Sequence, residues 1–168
     1  MLHLFIKHLD FTRRDSMAED KAKEALRMMH YGFYSITSCD DDEVNAMVAN
    51  WVIQASFEPR LIVVGLQKTS YTHGLIERGG VFTINIFKEE DSEALLPFTK
   101  GRAKNPDKMA QAEYTRAPET GCPVLARAAA YVECRVVRLI DVGGDHDILV
   151  GEVVGGDVMK PGDRKSVV

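Results

Sequence analysis

Residues 42–59 read DEVNAMVANWVIQASFEP, and the fold turns on whether this stretch is helix or strand. Val44, Met47, Val48, Trp51, Val52 and Ala55 recur at the spacing of an amphipathic helix. The residue types, valine with isoleucine and tryptophan, favour a pleated strand instead. Periodicity and propensity leave both structures open. The stretch also sets Asn45, Asn50, Gln54 and Ser56 among apolar neighbours. An unpaired amide in a core is unfavourable by roughly 1–3 kcal/mol, so buried polar groups here must serve either the fold or a ligand.

Outward from this stretch, YGFYSITSC (31–39), the acidic turn DDDE and LIVVGL (61–66) predict a run of antiparallel strands. SYTHGLIERGG (70–80) predicts a short helix, with Ser70 as its N-cap and Gly79-Gly80 as its stop. It leads into a strand at VFTINIF (81–87). Residues 90–112 read as helix and loop, with Asn105-Pro106 opening a second short helix. AYVECRVVRLIDV (130–142) alternates as far as Val136 and breaks phase at Val137, which predicts a bulged strand. The turn GGDH then leads into DILVGEVVGGDV (147–158). Near the start, Ser16 and Glu19 form a capping box for a helix from about 17 to 30.

At 168 residues, 45% hydrophobic and 27% charged, the chain reads as one globular domain. Its net charge of -4 and the lack of a long basic stripe argue against general nucleic-acid binding. No apolar run approaches the ~18 residues of a membrane span. The opening MLHLFIKHLDFTRRD is interrupted by Lys7 and His8 and has no small-residue cleavage site, so it does not read as a signal peptide. Residues 1–16 are read as a tail, Met17 as a candidate start, and 17–168 as the domain. Cys39, Cys122 and Cys134 are widely spaced and odd in number. They are expected to be structural thiols in a reducing, cytoplasmic setting.

Three linked segments, NAMVANWVIQASFEP, LIVVGLQKTSYTHGLIERGGVFTINIF and GDHDILVGEVV, resemble in order and spacing the flavin reductase-like, FMN-binding split-barrel family. The resemblance covers about residues 25–158. It implies a strand across residues 44–51, and a mainly β fold: a closed antiparallel barrel with a few peripheral helices. It also implies roles for the polar residues. The isoalloxazine of FMN would be lined by Met47, by main-chain groups along Val48, Ala49, Asn50 and Trp51, and by the side chains of Asn50 and Ser56, with Gln54 a weaker candidate. Tyr71 and Phe87 belong to the same expected lining.

QKTSYTHG offers a cation at Lys68, hydroxyls at Thr69, Ser70 and Thr72, and the free amides of a helix start, a combination that suits a phosphate. In the family this turn holds the flavin phosphate; Ser70 can cap the helix at the same time. The basic run KGRAKNPDK (100–108) matches a region near the phosphate, where Arg102 and Lys104 either add charge or stay solvated. In GGDHD, the resemblance puts His146 where NADH or NADPH approaches the flavin; a plain surface hairpin is the alternative. A metal site is not expected, because the histidines lack zinc spacing. His73 and Glu77 are expected to face solvent.

The function implied is an FMN-dependent NAD(P)H:flavin oxidoreductase, passing electrons to a partner oxygenase or to a small acceptor such as ferric iron. The alternatives are a non-catalytic FMN-binding electron carrier and a small structural barrel whose flavin pocket has decayed. The resemblance also implies a homodimer with its flavin sites at or near the subunit interface; the apolar residues around Trp51, Phe57 and Phe87 either supply that contact surface or all lie inside a single core. Three departures from the family pattern stand out. Val48 replaces a hydroxyl residue, Arg60 replaces a proline, and the tail after GEV is short.

Overall fold

The computed structural model describes residues 20–161. Residues 20–26 are helical and are followed by a turn, so the expected helix stops short of residue 30. Its capping box and the tail before it lie outside the described residues. Residues 20–30 belong to one unit of the chain; everything below belongs to the second, which begins at Tyr31.

The opening stretch is two strands. β1 (Tyr34–Asp40) turns into β2 (Glu43–Ala49), and after Asn50 and Trp51 the chain continues as β3 (Val52–Phe57) and β4 (Arg60–Gln67). α1 (Tyr71–Gly79) and β5 (Val81–Ile86) follow, then a 3₁₀ segment, Glu89–Phe98. β6 (Tyr114–Arg116) and β7 (Pro123–Leu125) form a small separate hairpin before the long strands β8 (Ala130–Asp141) and β9 (His146–Val158). The short helix expected from Asn105-Pro106 is a series of turns, and the β6–β7 hairpin was not foreseen. The expected bulge in β8 is present, as a register shift between Val136 and Arg138.

Seven strands make one antiparallel sheet in the order β2-β1-β5-β8-β9-β4-β3. Its two edge strands, β2 and β3, are consecutive in the chain with only Asn50 and Trp51 between them. So short a tether forces the sheet to curl until its first and last strands meet at that corner. There the amide of Gly65 on β4 donates to the carbonyl of Trp51 at 2.9 Å. The closed barrel implied by the resemblance is thereby corrected: no hydrogen-bonded ladder joins β2 to β3.

Ile36, Val64, Leu66, Phe82, Ile84 and Leu149 fill the interior of the curl. A second apolar cluster, including Phe87, Leu95, Phe98 and Leu125, packs outside it. β1 is buried along both faces, yet it carries Ser35, Thr37 and Ser38. Thr37 is satisfied from the segment that seats β7, its Oγ1 donating to the Pro123 carbonyl at 2.6 Å, and Ser38 Oγ donates to the Val81 carbonyl at 2.8 Å; the Leu125 amide donates to Asn85 Oδ1 at 2.8 Å.

α1 packs on β1 and β2. Ser70 caps it and accepts from the His73 amide at 3.2 Å, while Gly80 ends it in the left-handed region at φ 66°. Gly79 is required by proximity, because a Cβ there would fall 2.0 Å from the Cys39 carbonyl oxygen.

Candidate functional site

Three segments distant in sequence meet at the N-terminal end of α1. β2 supplies Asn45, Met47 and Val48; the turn before the helix and its first residues supply Thr69, Ser70, Tyr71 and Thr72; the loop after the 3₁₀ segment supplies Lys100, Arg102, Lys104 and Lys108. Together they line a cavity of about 810 Å³, a size typical of small-molecule sites. Asn45 is the buried polar residue of the opening stretch, and its Nδ2 donates to Thr72 Oγ1 at 2.8 Å, tying β2 to the helix start. The other three are less enclosed than the sequence suggested. Asn50 and Ser56 are half-buried, and Gln54 is exposed with only a local bond to the Ser56 carbonyl. The reason is that β3 is an edge strand with little packed above it.

The electrostatics of this cavity are one-sided. The amides of Tyr71 and Thr72 have no preceding helical carbonyl to serve, and the aligned peptide dipoles add positive potential at this end. Glu43 is the acid at hand: it accepts from the Tyr71 hydroxyl and from Arg78, and lies 3.7 Å from Arg102. Arg102 also stacks 4.2 Å over the Tyr71 ring. Lys108 is buried, and its ammonium donates to the Lys100 carbonyl at 3.1 Å. Burial, and secondarily the Arg102 guanidinium, hold its pKa below the ordinary lysine value. Among the described residues Lys108 takes no part in a salt bridge, so its charge is poorly balanced. An anion in the cavity would balance it, and cations, hydroxyls and free amides are the donor set a phosphate requires.

Of the residues picked out in sequence, Met47, Val48, Ser70, Tyr71, Thr72, Arg102 and Lys104 line this cavity. Lys68 does not. Its ammonium lies 2.5 Å from Asp141 and 3.5 Å from Asp147, pairs that raise its pKa. Lys100 and Lys108 stand where Lys68 was expected; sequence reading saw them in a basic run but assigned them nothing. Ala49 is buried in the main core, and Phe87 lines a neighbouring cavity of about 470 Å³ that Lys108 also borders. His73 is not turned to solvent as expected, since its Nε2 lies 2.7 Å from Asp147. Among the described residues no group of His, Cys, Asp and Glu is gathered to hold a metal.

A family model described as flavin reductase like domain matches residues 26–167. The chain belongs to this family. Diflavin flavoprotein A 1 of Synechocystis sp. is 32% identical over 139 residues, 82% of this chain and 24% of the relative. A high molecular weight rubredoxin of Moorella thermoacetica is 34% identical over 144 residues, 83% of this chain and 61% of the relative. The chain therefore spans about a quarter of the length of the diflavin flavoproteins it matches. The Streptomyces globisporus NADH:FAD oxidoreductase SgcE6, solved with NAD and FAD fragments, superposes with a TM-score of 0.69 at 26% identity, over 76% of this chain and 74% of that one.

In this flavin reductase-like domain the remaining expected residues gather at the Asn50–Trp51 corner. Trp51 lies flat over β4, where a Cβ on Gly65 would sit 2.8 Å from its ring. Its ring centroid is 4.7 Å from that of His146, whose Nδ1 lies 2.9 Å from Asp145. His146 pairs across the β4–β9 ladder with Gln67, which lines the cavity, while His146 itself does not.

Proposed function

We propose that this domain binds FMN in the cavity at the start of α1 and acts as an NAD(P)H-dependent oxidoreductase, passing electrons to a partner oxygenase or to a small acceptor such as ferric iron. The observation that carries the reading is the convergence of β2, the capped helix start and four cations on one cavity with too little negative charge of its own. Ser70, the amides of Tyr71 and Thr72, Arg102, Lys104 and Lys108 would hold the phosphate. Met47, Val48 and the chain on to Trp51 would line the ring, with main-chain groups making the polar contact at Val48. Bound there, FMN supplies the redox chemistry, taking a hydride equivalent from NADH or NADPH.

The protein's own part is orientation and access. Trp51 and His146 present a partly exposed pair of rings in contact, tilted at 52°, beside the cavity, a platform suited to a passing nicotinamide. The chain lacks the Gly-x-Gly-x-x-Gly fingerprint, so the nicotinamide binds transiently and not in a dinucleotide fold. Trp51, just before edge strand β3, and Ile53 and Phe57 on it are 54%, 65% and 84% exposed. A second copy of the chain would cover them. Phe87, expected to join that surface, is 1% exposed and takes no part. No helix among the described residues is long and apolar enough to cross a membrane; a cytoplasmic setting is part of this proposal.

The electron-carrier alternative keeps one point in its favour, the match within a relative named as a rubredoxin. Anaerobic mixing of FMN-loaded protein with NADH, and separately with NADPH, distinguishes the two. Rapid bleaching of the flavin absorbance by either donor is expected. An oxidised spectrum that persists with both would leave the carrier reading standing.

A further inference from the structure

The three cysteines read in sequence as separate structural thiols, and two of them are not separate. Cys39, near the end of β1, and Cys122, just before β7, lie with their sulfurs 3.1 Å apart although 83 residues divide them. The Cys39 sulfur also lies 3.6 Å from the Thr120 carbonyl. Over Cys39 opens a cavity of about 560 Å³, bordered by Asp40, Arg78, Arg116 and Thr120. Cys122 is wholly buried.

We propose that Cys39 and Cys122 form a redox-active dithiol that reduces small hydroperoxides and closes to a disulfide, which a small-molecule thiol reopens by exchange. The two thiols are chemically unequal, as such a pair must be. The hydrogen bond shared with Cys122, opposed by burial and assisted by Arg116, brings the Cys39 thiol down to about 7. The same bond and burial push Cys122 up. Cys39, 7% exposed and lining the cavity, is the nucleophile, and Cys122, wholly buried and absent from that lining, is the resolving thiol.

The Cys39 thiolate attacks one oxygen of a hydroperoxide. The O–O bond breaks, the alkoxide or hydroxide leaves and takes up the proton that Cys39 had released, and Cys39 holds a sulfenic acid. The Cys122 sulfur then attacks the Cys39 sulfur. The S–O bond breaks, water departs with the Cys122 proton, and the disulfide forms. Two thiols lose two electrons and two protons, and the peroxide becomes water and an alcohol, or two waters from hydrogen peroxide itself. The sulfurs need to approach by only about 1 Å to reach disulfide length. Cys134 supplies an internal contrast: it is buried, and burial with Glu133 pushes its thiol up to about 12.

The test uses the full chain. The reduced protein is treated with a small excess of hydrogen peroxide under native conditions, quenched, alkylated after unfolding and mapped by mass spectrometry. The expected product is a Cys39–Cys122 cross-linked peptide, reversed by dithiothreitol, with Cys134 still alkylated as a free thiol. Cys122→Ser should leave Cys39 as a sulfenic acid trapped by dimedone, and Cys39→Ser should abolish peroxide consumption. Should either variant fail to fold, mapping of the wild-type chain decides alone. A free Cys39 at peroxide levels that oxidise a small-molecule thiol, over-oxidised Cys39 with no cross-link, or oxidation of Cys134 first would overturn the proposal.

Discussion

The two ends of α1 are built from similar residues but are balanced differently. At its C-terminal end the positive charge is answered locally: Arg78 in the last turn pairs with Asp40 and Glu43, each at 2.8 Å, where the helix dipole also favours a cation. At its N-terminal end Arg102, Lys104 and Lys108 gather where the dipole disfavours them, and among the described residues the one acid that pairs with any of the three is Glu43, beside Arg102, which Arg78 already engages. A protein selected only for stability would avoid the second arrangement. The contrast separates an end completed by the chain itself from one completed by an anionic ligand.

The largest expected effect strikes the balanced end. Gly79→Ala places a methyl against the Cys39 carbonyl oxygen and should lower stability by about 3 kcal/mol, the upper range for overpacking, as read by urea melts. An unchanged midpoint would mean that α1 shifts freely on β1. At the unbalanced end, Lys108→Met should weaken FMN by roughly tenfold to a hundredfold, since charge-assisted hydrogen bonds are worth about 1.5–3 kcal/mol, while raising the melting temperature of the ligand-free protein. Loss of both affinity and stability would show Lys108 to be a structural residue.

Because the folded pKa of Lys108 lies below its ordinary 10.5, the unfolded chain holds that proton more tightly. The ligand-free protein should therefore gain stability, relative to Lys108→Met, as pH rises toward 10.5. Melts across that range, with and without FMN, check the sign; FMN should flatten the slope.

The pattern of strands was legible because turn residues and β-branched runs are local signals. α1 was legible through Ser70 and Gly79-Gly80, and the β8 bulge through its broken alternation. What local patterns left open was decided by contacts across the fold. The opening stretch kept a helical period because β2 packs on both of its faces, Met47 against the main core and Val44 and Val48 against the second cluster, while the corner at Asn50 and Trp51 brings Val52 back to the main core. Lys68 turned from the cavity because Asp141, 73 residues away, arrives beside it on β8. Lys108 and the Cys39–Cys122 pair gave no local signal, since a lysine in a basic run and thiols 83 residues apart look unremarkable until the loops are folded over.

Smaller effects sharpen the boundary of the cationic end. His146→Ala should slow reduction by NAD(P)H by about tenfold, the worth of about 1.4 kcal/mol in the barrier, with FMN affinity little changed, as followed by stopped-flow absorbance. An unaltered rate would leave His146 as a turn residue. Lys68→Ala should change FMN affinity by less than about twofold, because that ammonium already serves two aspartates outside the cavity. A loss as great as that of Lys108→Met would move the phosphate to the other side of the helix start.

The most direct test of an anion-completed helix start is a parallel titration of ligand-free protein with FMN and riboflavin, followed by quenching of flavin fluorescence. The two ligands share the ring and differ in the phosphate. FMN should bind at about micromolar concentration or tighter, near -8 kcal/mol, and riboflavin at least about tenfold more weakly. Equal binding of the two, or binding of neither, would contradict the account.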